Sequence, residues 1–278
     1  MRRMCAGILL SILAAHGICA EAFTLSEPKK DADGVTHYSL SSPYQKNATT
    51  LRILADPAAL KADILRIVFV LPVEPKEEHR FGDGLEEFRK LDLSRKYGVV
   101  VVAPSFEQLP WYADHPTDEG VRQESHFLLA VIPAVDRLFP AKKTQRLLLG
   151  FSKSGWGAYS LILRNPELFA AASAWDAPLM KVKPDQFGMD GIFATQENFE
   201  KYEISHLLST KGAPFQAAKR LVLSGYGNFR EHTQQAHALL ESLKIQHEYA
   251  DGPPRKHVWD SGWVEESLKA LLDVTKEK

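Results

Sequence analysis

Residues 147–166 read LLLGFSKSGWGAYSLILRNP. An apolar run stops at Gly150, Ser152 stands two residues on, and Ser154, Gly155, Gly157 and Ala158 come after it. A hydroxyl at a sharp strand-to-helix turn, ringed by small residues, is the layout of a nucleophilic serine. The turn is too tight for bulky neighbours, and the side chain at its apex stands above the end of a sheet. The backbone N–H of the next residue, Lys153, is then expected to supply one donor of an oxyanion hole. The same letters also fit a serine that caps an ordinary helix, and Ser154 stands where such turns most often have glycine. Chain position favours the first reading. The stretch comes after the third strong strand pattern beyond an N-terminal hairpin, and two more strand patterns come after it. A serine hydroxyl is a weak nucleophile until a base takes its proton, so a histidine and an acid are required from later loops.

The elements that must position these groups can be read from apolar periodicity. Short β-branched or small apolar runs occupy 65–73, 97–106, 145–152, 170–176 and 219–227. Stretches with helical spacing lie around 84–95, 121–138, 155–165, 195–209, 230–244 and 263–274. Continuous apolar runs suit strands buried on both faces, and strand–helix alternation predicts an α/β fold. The expected architecture is a mostly parallel central sheet with helices on both faces. "THYSLSSPYQ" and "TTLRILAD" alternate polar with apolar residues and predict an antiparallel hairpin ahead of it. No linker composition divides the chain, so residues 23–278 read as a single domain.

Three stretches resemble the α/β-hydrolase superfamily, in particular its esterase D-like branch, which includes acetylxylan and feruloyl esterases. "GFSKSGWGAYSLILRNPELFAAASAWDAP" is similar to that branch's elbow, helix and next strand. "RLVLSGYGNFREHTQQAHALLESLKIQHEYADGP" is similar to its acid-bearing strand, helix and next strand, and "RKHVWDSGW" to its histidine segment. The resemblance implies a secreted serine esterase with Ser152 as nucleophile and His257 as base, needing neither metal nor organic cofactor. Its usual aspartate, however, falls on Asn228, and an amide cannot stabilise an imidazolium as a carboxylate does. Two carboxylates compete for the role. Asp176 ends the strand pattern after the elbow, and Glu231 opens the helix after Asn228, where the helix dipole also favours an acid. Asn228 itself, Asp260 or no acid at all are the remaining readings.

A second oxyanion donor is expected from the loop after "IVFVLPV". Pro72 has no N–H, which leaves Val73 or Glu74. Trp111 and Tyr112, in the long loop "PSFEQLPWYADHPTDEG", suit a pocket wall that stacks on sugar or aryl groups, or simply pack that loop on the domain. Asp114, His115 and Asp118 are too sparse a set for a metal site. His232 and His237 lie on a helical stretch and read as solvated.

Arg2 and Arg3, an apolar stretch over 5–15 and Ala20-Glu21-Ala22 together read as a signal peptide over residues 1–22. The apolar stretch is too short to span a bilayer, and the expected destination is secreted or periplasmic. Both cysteines, Cys5 and Cys19, fall inside it, so its removal leaves no thiol chemistry and no disulfide. A net charge of -1 gives no electrostatic reason to bind nucleic acid or an acidic membrane. The expected partner is a small-molecule or polysaccharide ester. A prolyl-oligopeptidase-like serine peptidase is the rival enzyme. A non-catalytic glycan-binding module is the rival from another class, with Asn228 as its best support.

Overall fold

A strand points successive side chains to opposite faces, so an all-apolar run feeds two cores at once. The computed structural model describes residues 23–276, and the signal segment expected over 1–22 lies outside them. In the strand Leu65–Val70, Ile67 and Phe69 join one buried cluster while Val68 and Val70 join the other. Val100 and Val102 alternate with Val101 in the same way. Each fully buried side chain of this kind contributes about 1.5–3 kcal/mol.

Among the described residues, ten strands form one sheet: β1 (Thr24–Leu25), β2 (Lys29–Lys30), β3 (Thr36–Ser41), β4 (Thr49–Ala55), β5 (Leu65–Val70), β6 (Val100–Pro104), β7 (Thr144–Phe151), β8 (Ala171–Trp175), β9 (Leu221–Ser224) and β10 (His247–Ala250). The order is β1-β3-β4-β6-β5-β7-β8-β9-β10, with β2 beside β3. From β6 to β10 the strands run parallel, and the N-terminal strands through β4 are antiparallel. This is the α/β-hydrolase architecture, with the N-terminal hairpin realised as β3 and β4.

Helices cover both faces. Ser152–Arg164 packs Trp156, Tyr159, Leu161 and Ile162 into one cluster. Val264–Lys276 packs Leu268, Leu271 and Leu272, at helical spacing, into the other.

Register decides what meets at the C-terminal edge. Phe151 pairs with Trp175, and Trp175 with Ser224. The residues that leave the sheet next are therefore Ser152, Asp176 and Gly225, side by side. Among the described residues no helix is long and apolar enough to cross a membrane.

On the antiparallel side, His126 is fully buried. Its ring nitrogens contact the hydroxyls of Ser42, at 2.8 Å, and Thr49, at 3.1 Å. Burial pulls the imidazole down to about 4. The unfolded chain takes up that proton near 6.5, so the folded state is at full advantage above that pH. Stability should fall as pH drops from about 6.5 towards 4, by roughly 3 kcal/mol for this group over the whole window. Urea unfolding across that range should show the loss in the wild type and a smaller loss in His126→Gln.

Candidate active site

The sharp turn begins where β7 ends. Phe151 is still extended, with φ at -131°, and Ser152 opens the helix with φ at +51°. A non-glycine residue in that region is strained by about 1–3 kcal/mol and is held there by its surroundings. Those surroundings have no room for larger neighbours. A Cβ on Gly150 would strike the backbone of Ser154, and one on Gly155 would lie 2.8 Å from the Ala177 methyl. Ser154, where glycine is the commoner choice, closes the turn itself. Its hydroxyl accepts from the Phe151 N–H at 3.1 Å and donates to the Phe151 carbonyl at 3.0 Å.

Asp176 leaves β8 at the same edge, fully buried and also left-handed, with φ at +42°. Its carboxylate accepts from the backbone N–H groups of Asn228, at 2.9 Å, and Phe229, at 2.8 Å. The third contact of the carboxylate is His257 Nδ1, at 2.6 Å. A carboxylate ringed by donors needs the proton on Nδ1, which leaves Nε2 as the nitrogen able to take a proton from elsewhere. The imidazole is caged by the rings of Phe151, Trp175, Phe229 and Phe81, with centroids 5.0–6.4 Å away. Gly225 and Gly227 make space for the acid. A Cβ on Gly225 would lie 2.5 Å from the Asp176 nitrogen, and one on Gly227 would strike its carboxylate.

The other acid candidates stand elsewhere. Glu231 is exposed and accepts from Gln235 one helical turn away. Asp260 is exposed beside buried Trp259. Asn228 takes part through its backbone N–H, which holds the carboxylate that leaves β8.

Ser152 and His257 line one cleft of about 280 Å³, together with Lys153, Arg80, Phe81, Leu109, Pro178, Phe187, Asn228 and Phe229. No hydrogen bond joins the serine to the imidazole in this structure. Glu74 is buried behind the cleft, paired with Arg80 Nε at 3.1 Å and accepting from the Phe81 N–H at 3.3 Å. It thereby fixes the loop that carries both residues. Burial pulls the Lys153 ammonium down from the usual lysine range, with Glu74 opposing and Arg80 adding to the effect.

Besides the two acid candidates, Val73, Trp111 and Tyr112 also fall outside this cleft. Val73 is buried and lines a neighbouring cleft with Glu77 and His79. Trp111 and Tyr112 are not a pocket wall but core. Trp111 packs edge-on against Trp156 at 5.5 Å, and the Tyr112 ring fills the space that Gly157 leaves. Tyr112 still bears on the site, because its hydroxyl donates to the Pro72 carbonyl at 2.7 Å and so ties down the loop after β5.

The apolar walls were missed by sequence reasoning. Phe81, Phe187 and Phe229 come from three separate loops, and no local pattern links them. Donor atoms that could hold a metal gather away from the cleft, where His237, Glu241 and His247 lie within 4.8 Å of one another.

A family model described as "Putative esterase" matches residues 96–251. No curated protein matches the sequence. Among solved structures, an S-formylglutathione hydrolase from Agrobacterium tumefaciens superposes with a TM-score of 0.66 at 16% identity, over 90% of this chain and 99% of that one. A ferulic acid esterase gives 0.65 at 14% identity, over 87% and 98%. An S-formylglutathione hydrolase from Staphylococcus aureus gives 0.64 at 14%, over 91% and 99%. At these identities the likeness is one of fold.

Proposed function

The chain belongs to the esterase family, and from that premise we propose that it hydrolyses carboxylic esters through an acyl-enzyme on Ser152. The reading rests above all on the 2.6 Å bond from His257 to a buried carboxylate at the sheet edge that also carries Ser152. The Ser152 oxygen attacks the acyl carbon while Nε2 of His257 takes its proton. The departing alcohol collects that proton. His257 then deprotonates water, which attacks the acyl-enzyme, and returns that proton to the Ser152 oxygen as the acid is released. Asp176 holds the ring and stabilises its charged form, and the Lys153 N–H is one donor to the oxyanion. Phe81, Phe187 and Phe229 form apolar walls that suit a short or aryl acyl group.

Within that class, acetyl or feruloyl esters of polysaccharide are the substrates to try first, as the family resemblance suggests. The signal segment would carry the activity to a secreted or periplasmic destination. The purified chain should hydrolyse 4-nitrophenyl acetate and butyrate. A fluorophosphonate probe should label it once, at Ser152, as mapped by peptide mass spectrometry. Absence of both turnover and label would overturn the reading.

A further inference from the structure

Acyl transfer uses the backbone of Lys153 and leaves its side chain without a task. That side chain is an ammonium one residue from the nucleophile, on a residue only 8% exposed, and it lines the reaction cleft. Its Nζ lies 5.9 Å over the Phe81 ring. Among the described residues no carboxylate stands within ion-pair distance of it. The one acid whose field reaches it, Glu74, is already engaged by Arg80 and the Phe81 N–H. A buried charge with no direct ion pair of its own is costly, and an apolar side chain would fill the same wall without that cost. Arg80 lines the same cleft, with its guanidinium 4.7 Å from the centroid of the same Phe81 ring and its side chain 71% exposed. One cation therefore lies deep in the cleft and one towards solvent, while the remaining walls are apolar or neutral.

We propose that the cleft takes an ester whose substrate also bears a carboxylate, with the Lys153 ammonium as its counter-charge and Arg80 steering it in from solvent. A single ammonium balances a single negative charge, which fits a carboxylate better than a phosphate dianion. The inference rests on the hydrolase reading for the identity of the cleft, but its binding part can be tested without turnover.

Two matched pairs of esters place the charge on either side of the scissile bond. Mono-4-nitrophenyl succinate against 4-nitrophenyl butyrate puts it on the acyl side. 4-Acetoxybenzoate against phenyl acetate puts it on the alcohol side. In at least one pair kcat/KM should favour the charged member about tenfold or more, as a charge-assisted contact provides. That preference should shrink to near unity in Lys153→Met, survive in Lys153→Arg, and weaken with added salt or in Arg80→Gln. The ratio within a pair is the readout, so a general loss of activity does not mimic the effect.

Calorimetry on Ser152→Ala isolates binding. It should take up the favoured charged ester about tenfold more tightly than the neutral one, and Arg80→Gln in that background serves if Lys153→Met does not fold. Neutral esters preferred in both pairs, or equal binding of charged and neutral esters, would overturn the proposal. Absence of all ester turnover together with selective binding of the charged member would instead sink the hydrolase reading and leave the anion site standing.

Discussion

Ester turnover by Ser152→Ala should fall by about 10⁵–10⁶-fold in kcat, down to whatever the cleft provides by binding and oxyanion donation alone. The substitution removes the one atom proposed to form the acyl bond and little else. Ala keeps the Cβ, so the left-handed backbone at 152 is neither relieved nor worsened, and the melting temperature should stay close to that of the wild type. Ser152→Gly separates chemistry from strain. It should be equally inactive yet more stable by about 1 kcal/mol, because glycine adopts φ near +51° freely. Initial rates on 4-nitrophenyl butyrate with thermal melts of all three proteins check both halves. Residual activity within a few fold of the wild type would remove Ser152 from the mechanism.

Asp176→Asn should lower kcat by about 10⁴, the size of effect seen when a triad acid becomes an amide and the histidine loses both its charge partner and its correct tautomer. Asn228→Ala should cost no more than a few fold, since residue 228 offers its backbone N–H and any residue but proline has one. The contrast matters because the family pattern would place the acid at 228. If Asn228→Ala were the damaging change and Asp176→Asn the mild one, the assignment would be reversed. Glu231→Gln, in an exposed side chain bonded within its own helix, should leave turnover unchanged.

Much of this arrangement could be nominated from the sequence, for identifiable reasons. Apolar runs such as "LRIVFV" carry their own strand signal, and the parallel sheet results from their alternation with helical stretches. Ser152 is announced by small neighbours on both sides. Asp176 could be nominated because it directly succeeds a strand pattern at a sheet edge, but choosing it over Glu231 needed more. The choice depends on the register Phe151–Trp175–Ser224 and on the space left by Gly225 and Gly227, and neither is a local property.

Trp111 and Tyr112 illustrate the converse. Two aromatics in a long loop look alike whether they face a cleft or the interior. Here Gly157, forty-five residues after Tyr112, decides the matter by leaving a ring-sized gap in a distant helix. The phenylalanines around Ser152 come from loops that meet only once the sheet has formed.

The hydroxyl-bearing and carboxyl-bearing groups of the site leave adjacent strands and so inherit the rigidity of the central β-structure. The imidazole does not. It rides on the irregular segment between β10 and the final helix, outside the sheet's ladder of hydrogen bonds. Its links to the rest of the chain include the Trp259 N–H on the Phe81 carbonyl, the Arg255 N–H on the Tyr226 carbonyl and the bond of the ring itself to Asp176. On warming, these links should release before the sheet melts. The protein would then go silent while still folded, and recover on cooling.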